Sequence, residues 1–162
     1  CADMATTTPG TIRDVIIARI EALTPPTYGQ NPYVPHRDDK LSLRRWALAN
    51  PAASLRRFNV ETPGDTSPME VTTATLEQVR EEFEIVIAYA NTNRFNGRQG
   101  LIDAISTDLR FIDYYAGTTG FSVTPTSNAT IISKQYRREG DDADPVWFGV
   151  IPLEVVYWRA AL

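Results

Sequence analysis

The chain has 162 residues, a formal net charge of −4 and a sequence pI near 5.0. Hydrophobic residues make up 43% of it and charged residues 22%, the proportions of an ordinary soluble globular protein. A chain of this length can bury roughly two-thirds of its unfolded surface in a single domain, so its fold needs no disulfide or metal. The acidic balance argues against a protein whose whole surface binds phosphates.

Cys1 is the only cysteine, which excludes an intrachain disulfide. No run of about 18 apolar residues occurs, so we predict neither a membrane-spanning helix nor a membrane partner. The first ten residues lack the basic start and the apolar stretch of a secretory signal, which favours assembly in the cytoplasm. A lipoprotein whose signal has been removed ahead of Cys1 is the less favoured alternative.

The first third predicts a helix and then an irregular excursion. The helix is expected over Thr11–Leu23, where apolar residues recur three and four apart, and Pro25-Pro26 ends it. The excursion, at about residues 24 to 51, is rich in helix breakers, and Tyr28 and Tyr33 in it predict packing on a surface. Within the excursion, Asp38–Ala49 is predicted as a short helix.

Three segments of the middle third have the period of two, or the β-branched residues, that predict strands. They are Leu55–Glu61, Val71–Leu76 and Val79–Tyr89. In the first, Arg56 shares a face with Phe58 and Val60, a pattern typical of an edge or half-exposed strand. Thr62–Pro68 consists of turn-forming residues and predicts a mobile loop between paired strands.

The last third predicts a helix and a long hairpin. The helix is expected over Arg98–Ala116, where apolar residues recur at near-helical spacing. The hairpin consists of two long predicted strands, Asn128–Glu139 and Val146–Arg159, joined by a turn at Gly140–Pro145. The order of helix, strands, helix, strands predicts a single α+β domain. We expect a mainly antiparallel or mixed sheet with two principal helices packed on it.

Aromatic residues crowd the last predicted strand. If Pro152 causes no bulge, Trp147 shares a face with Tyr157, while Phe148 shares the opposite face with Trp158. Half of these rings then fill the core under the second principal helix. The others remain as surface for a partner, since exposed aromatic patches usually mark an interface.

The sequence offers no catalytic set of residues. A hydrolytic triad needs a nucleophile beside a base, but the single histidine, His36, lies in a proline-rich loop. A structural zinc site needs about four Cys or His ligands, and only Cys1 and His36 are present. We therefore predict a protein that is not an enzyme and that holds neither a cofactor nor a metal.

The aspartates of the predicted turn, Asp141, Asp142 and Asp144, match no ordered calcium-binding loop and predict a solvated turn. Repeated around a ring, the same acidic tip would form a negative collar that repels phosphates. The Pro63–Pro68 loop is a second tip that projects from a strand pair, so either tip is a candidate to reach a lumen or a neighbouring ring.

Four stretches together carry a family resemblance. They are Thr11-Ile12-Arg13-Asp14-Val15-Ile16-Ile17-Ala18-Arg19-Ile20, Phe83-Glu84-Ile85-Val86-Ile87-Ala88-Tyr89, Gly100-Leu101-Ile102-Asp103-Ala104-Ile105 and Ile151-Pro152-Leu153-Glu154-Val155-Val156-Tyr157. A helix, a strand pair, a helix and a terminal strand in this order resemble the tail terminator, or tail-completion, proteins of long-tailed bacteriophages, which are small α+β subunits.

The resemblance implies a structural subunit of the virion that forms a ring, usually a hexamer. Such a ring caps the tail tube protein and joins it to head-side neck or connector proteins, and DNA passes transiently through its lumen. The residues expected at the interface or lumen are Asp141, Asp142, Asp144, Trp158, Tyr28 and Tyr33. Another neck or connector subunit of the same virion is the close alternative.

Two alternatives come from other functional classes. One is an enzyme that uses a pair of carboxylates, drawn from Glu81, Glu82 and Glu84 with Asp103 or Asp108. The other is a small binding module for peptide or single-stranded nucleic acid, because Arg44-Arg45-Trp46 and Arg56-Arg57-Phe58 interleave basic and aromatic residues.

Overall fold

The structure is a computed structural model. It describes residues 9–26, 31–37, 40–62, 67–72, 76–91, 95, 97–118, 130–133 and 135–160. The helices are α1 (Pro9–Glu21), α2 (Leu43–Ala49) and α3 (Gly97–Thr118), with a 3₁₀ turn at Pro51–Ala53. The strands are β1 (Val34–Pro35), β2 (Leu55–Glu61), β3 (Ser67–Thr72), β4 (Leu76–Ala90), β5 (Thr130–Ser133), β6 (Arg137–Glu139) and β7 (Val146–Ala160). Together they form the predicted α+β fold.

The strands form one open, mixed and mostly antiparallel sheet in the order β1-β2-β4-β7-β5. β3 lies beside β4 beyond the end of β2, and β6 lies beside β7 next to β5. The centre is the β4–β7 ladder, whose fifteen pairs run from Leu76↔Ala160 to Ala90↔Val146. At about 3.4 Å per residue this ladder is roughly 50 Å long, so it outreaches α3, which measures about 33 Å at 1.5 Å per residue.

Helices α1 and α3 cover one face of the sheet and enclose the main core. Every second residue of β7 from Trp147 to Tyr157 faces this core, as the parity of the sequence predicted. α3 lies very close to β7 at Gly149, where an added Cβ atom would stand 2.9 Å from Leu109 Cδ2 and 3.3 Å from Ile105 Cγ2. Glycine at this position therefore lets the helix seat directly on the strand.

Helix α2 covers part of the opposite face, so the sheet has helices on both sides. Leu43 and Ala47 pack there on Val86, Ala88 and Phe148 in a second, smaller core. The Ser42 side chain caps the helix by accepting a hydrogen bond from the Arg45 amide, 3.3 Å away. The short helix predicted at Asp38–Ala49 is therefore present, but it begins five residues later than predicted, at Leu43.

Most of the sequence-predicted elements are confirmed. α1 and α3 match the two predicted principal helices to within two residues at each end, and β2 has the predicted bounds. The strands predicted at Val79–Tyr89 and Val146–Arg159 are present and slightly longer. Gly140–Pro145 closes a hairpin between β6 and β7, with Arg137 opposite Val150 and Glu139 opposite Phe148.

The long strand predicted at Asn128–Glu139 is wrong, because the structure holds two short strands, β5 and β6, in its place. Between Ser133, which pairs with Leu153, and Arg137, which pairs with Val150, the register along β7 shifts by one residue. The shift lies opposite Pro152, which has no amide hydrogen to donate to a ladder. β7 itself stays in register with β4 through the Glu84↔Pro152 pair, so its alternation is preserved.

The boundaries around β3 also differ from the expectation. Ser67 and Pro68, predicted as loop, begin β3, and β3 ends at Thr72, short of the predicted Leu76. The remainder of the predicted Pro63–Pro68 tip lies outside the described residues. Within the described part of the chain, no helix has both the length and the apolar character needed to cross a bilayer.

Candidate interface surfaces

The hairpin tip at Gly140–Pro145 is an ordered turn built by its own aspartates. Asp141 Oδ1 accepts a hydrogen bond from the Ala143 amide, and Asp144 Oδ2 accepts one from the Asp141 amide, each at 3.0 Å. Asp142 instead points outward and pairs with Arg98 at 2.6 Å, both side chains being more than 60% exposed. Aspartate is suited to this role because its short side chain can bond the backbone two or three residues away.

The tip is also fastened to the body of the domain. Trp147 Nε1 donates to the Asp141 carbonyl at 2.7 Å, and Asn91 Nδ2 donates to the Asp144 carbonyl at 2.8 Å. The Asn91 amide reaches the Pro145 carbonyl at 2.9 Å, which joins the end of β4 to the turn. The acidic tip therefore projects in a fixed direction from the end of the β4–β7 ladder.

No three His, Cys, Asp or Glu side chains in the described ranges are arranged to hold a metal ion. The carboxylates of Asp141 and Asp144 are occupied by backbone amides, and that of Asp142 by Arg98. What the tip offers is therefore a compact acidic surface.

Trp158 lies on the face of the sheet that α2 covers only in part. It is half-buried and stands opposite Gln78 on β4, at the end of the ladder away from the acidic tip. Its neighbours along this face include Arg80, which pairs with Glu154 at 3.2 Å. Trp158 thus contributes partly exposed aromatic surface within a charged setting, as the strand alternation predicted.

The two tyrosines of the excursion have different outcomes. Tyr28 lies outside the described residues. The sequence grouped Tyr33 with the surface candidates, whereas the structure buries it to 2% exposure, with its ring 5.9 Å from the guanidinium carbon of Arg56. Burial raises the pKa of its hydroxyl far above the ordinary value. Tyr33 is therefore a core residue of the subunit and offers no surface to a partner.

A buried ion pair between Arg56 and Asp108 is the main polar feature that sequence reasoning missed. Arg56 Nε and Nη2 donate to the two carboxylate oxygens of Asp108 at 2.7 and 3.2 Å, and both side chains are fully buried. Tyr89 Oη donates to Asp108 Oδ2 at 2.6 Å, and Arg56 Nη1 donates to the Asn31 carbonyl at 3.1 Å. Burial raises the pKa of Asp108, while hydrogen bonds from Arg56 and Tyr89 oppose that shift.

The signal for this pair was present in the sequence. Arg56 shares parity with the core residues Phe58 and Val60, and Asp108 falls between Ile105 and Ile112 on the apolar stripe of α3. A charge of each sign on facing apolar surfaces indicates a buried pair. Because the pair is sealed from solvent, its role is to fix α3 on the sheet.

The other carboxylates weighed for catalysis also have local structural roles. Glu84 lies 3.8 Å from Arg44 and 3.7 Å from Arg137, and Asp103 accepts a hydrogen bond from Gln99 at 2.9 Å. Glu81 is 2% exposed on the core side of β4. Glu84 and Asp103 therefore have polar partners within the fold, and Glu81 is buried in it.

The two basic and aromatic clusters do not present rings for base stacking. The Arg57 guanidinium lies over the Trp46 ring at 3.8 Å, and Phe58 is fully buried. Arg57 Nε donates to His36 Nδ1 at 3.1 Å, and the His36 ring stands 5.8 Å from Trp46. The rings of these two clusters are thus engaged within the subunit, where bases could not stack on them.

A recess of about 680 Å³ lies beside the second half of α3. Phe111, Tyr114 and Tyr136 supply its aromatic surface, Pro26 borders it, and Arg110 and Asp113 carry its charges. Tyr114 is 70% exposed, the largest exposed fraction among the described large hydrophobic residues. The sequence did not predict this recess, to which Tyr136 contributes from the break between β5 and β6.

Models of known protein families and the curated proteins were both compared with the chain, and neither comparison found a match.

Proposed function

We propose that this chain is a structural subunit of a bacteriophage tail or neck. Copies of it form a ring, hexameric in the favoured arrangement, that caps the tail tube and joins it to head-side connector proteins. DNA passes through the lumen of that ring. The subunit acts by shape and assembly and not by catalysis.

The observation that carries the proposal is the acidic tip held rigidly at one end of a long two-stranded ladder. Asp141, Asp142 and Asp144 are fixed there by bonds to the turn backbone, Trp147, Asn91 and Arg98. A ring subunit must meet its neighbour at the same angle in every copy, and this requires contact surfaces that do not move relative to the core. The anchored tip meets that requirement.

The fold supports the same function. It is an α+β subunit with helices on an open, mixed and mostly antiparallel sheet, as the resemblance to tail terminator proteins implies. Trp158 and its charged neighbours add a surface at the opposite end of the ladder from the tip. Two separated surfaces are what a subunit needs to touch both a neighbour in its ring and the next ring of a stacked tail.

The charge of the chain suits a channel for DNA. With a net charge of −4, the subunit has little overall attraction for phosphates. A weakly repelling wall, screened within about 8 Å at physiological salt, lets DNA slide without sticking.

The proposal is tested in particles of the phage that encodes the chain. Electron microscopy of purified tails and necks, with the chain labelled, should show several copies at the head-proximal end of the tail tube. Omission of the chain is expected to leave tubes of uncontrolled length that do not join heads, because nothing caps them. A chain absent from the particles would refute the proposal. Tubes of normal length that fail only to join heads would identify a different neck or connector subunit.

A further inference from the structure

We propose that the acidic tip of one copy docks into the Arg110 recess of the next copy, and that this head-to-tail contact builds the ring. The inference rests on the proposed function, because it names the surfaces through which the proposed ring would close. Bonds within one chain fix the tip and leave its Asp142 side chain exposed, while the recess is open at the surface of the subunit.

The recess combines aromatic surface with one basic side chain, Arg110, and one acidic side chain, Asp113. Phe111, Tyr114 and Tyr136 line it, and Arg110 is exposed and makes no ion pair with any residue that the structure describes. Asp113 lines it as well and is engaged in an interaction of its own. A guanidinium that pairs with none of the described residues and lies beside aromatic rings favours a ligand that brings a carboxylate and some apolar surface.

The chemistry of the recess selects a protein turn over a nucleic acid. A strand of DNA or RNA presents a phosphate at every nucleotide and is held by several cations along its path. One arginine next to one aspartate offers no such track. A short acidic turn matches it, and a volume of about 680 Å³ is in the range that accepts a small group of side chains.

The acidic tip of this chain has the matching properties. Asp141 and Asp142 are exposed, Pro145 adds exposed apolar surface, and the turn is rigid before it binds. The partner of Asp142, Arg98, is itself mostly exposed, so their ion pair is weak and its carboxylate can exchange to another cation. A preorganised turn loses little entropy on docking.

A chain cannot place its tip in its own recess. The tip is fastened beside Arg98, and Arg110 lies twelve positions further along α3. Twelve helical residues span about 18 Å and turn about 120° around the axis. The contact must therefore join two copies, and since tip and recess are different surfaces it repeats head to tail, the geometry that generates rings.

The experiment compares the assembly of the parent and three variants by native mass spectrometry and sedimentation velocity over a range of concentrations. Arg110→Glu and Asp142→Arg each place like charges in the contact and should raise the concentration for half-assembly about tenfold or more. A 1:1 mixture of the two should assemble near the parent concentration, because alternating copies then meet only opposite charges. Arg45→Glu, at an exposed arginine of α2 far from the recess in the fold, is the control and should behave as the parent.

Asp142→Arg leaves the turn bonds of Asp141 and Asp144 in place, so the tip should stay folded, and thermal melting of each variant checks this. The docking contact would be overturned if Arg110→Glu assembled as the parent does, or if the mixture failed to restore assembly. Neither result would refute the proposed ring. A parent that stays monomeric throughout also overturns the contact, whereas the ring itself is decided by the copies seen at the tail tube.

Discussion

Replacement of Arg56 by methionine is expected to destabilise the fold by about 4 kcal/mol, because it removes one half of a buried ion pair. Methionine has a similar length and no charge, so it fills most of the space of the arginine. What it leaves is the Asp108 carboxylate, fully buried and without its cation. Tyr89 still donates one hydrogen bond to that carboxylate.

The magnitude follows from the contacts that are lost. Arg56 gives Asp108 two charge-assisted hydrogen bonds, at 2.7 and 3.2 Å, and bonds to charged groups are worth about 1.5 to 3 kcal/mol each. It also gives a third bond to the Asn31 carbonyl, and its guanidinium carbon lies 5.7 Å from the Phe95 ring centroid. The Tyr89 bond and protonation of Asp108 recover part of the loss, which leaves about 4 kcal/mol. For a domain of this size that corresponds to a fall in Tm of about 10 °C.

The combined variant Arg56→Met, Asp108→Leu, Tyr89→Phe removes both charges of the pair and the hydroxyl of Tyr89. Its stability is expected to return to within about 2 kcal/mol of the parent, since apolar replacement of a buried pair is often neutral. The single and double changes at Arg56 and Asp108 form a cycle that isolates their coupling. Urea unfolding, monitored by far-ultraviolet circular dichroism, measures the free energy of unfolding of each variant. The comparison holds when the m value is the same in all variants.

Arg45→Met is the matched control, because Arg45 is exposed on α2 and makes no ion pair in the described part of the chain. It should change the free energy of unfolding by less than about 0.5 kcal/mol. If Arg56→Met costs no more than this control, or if the changes at Arg56 and Asp108 are additive, the reasoning about the buried pair is refuted.

Two further predictions concern the sheet and the helix face. Burial and the nearby carboxylates of Glu84 and Glu139 raise the pKa of Glu61, and Arg44 opposes this shift. The folded state therefore binds the Glu61 proton more tightly than the unfolded chain does. As a result, the free energy of unfolding falls as the pH rises from about 4. Glu61→Gln should therefore be more stable than the parent by about 0.5 kcal/mol at pH 7 and equal to it below about pH 4, and a difference that does not vary with pH in urea titrations would contradict this. Ile105→Asp puts a charge into the core between α3 and Gly149 and should lower the free energy of unfolding by about 3 kcal/mol or more. Ser106→Asp, on the exposed side of the helix, should be nearly neutral. Equal melting temperatures for the two variants would mean that the helix face is misassigned.

The elements that sequence reasoning predicted well are those whose own residues determine them. α3 carries an apolar stripe over six turns, and β7 alternates from Trp147 to Trp158 through Pro152 without a slip. In such segments the period of the side chains is also the period of the backbone, so burial can be read along the chain. The acidic turn is similar, because its aspartates bond within the turn itself.

The elements that were missed depend on contacts far apart in the sequence. The break between β5 and β6 is set by their partner, since it lies opposite Pro152. Arg56 is the extra residue of a bulge between Leu55 and Arg57, with a φ of 54° that an arginine adopts only under constraint. The bulge is held by Asp108, 52 positions later, so β2 alone gives no sign of it. The recess likewise needs Tyr136 and Phe111, which meet only in the folded sheet.

The same buried pair links stability to the proposed assembly. Asp108 is held by Arg56 and Tyr89 at a point of α3 between Arg98, which lies beside the acidic tip, and Arg110, which borders the recess. Close seating of the helix at Gly149 fixes its height above β7. A head-to-tail contact closes into a ring only if the rotation from tip to recess is the same in every copy. A bonded clamp restricts that rotation in a way that apolar packing alone does not, because two hydrogen bonds specify an orientation while apolar contacts tolerate sliding. An apolar core of the same volume would stabilise the fold about as well as the buried pair does. In the proposed ring, the contribution of the pair would thus be to fix the orientation of α3 on the sheet.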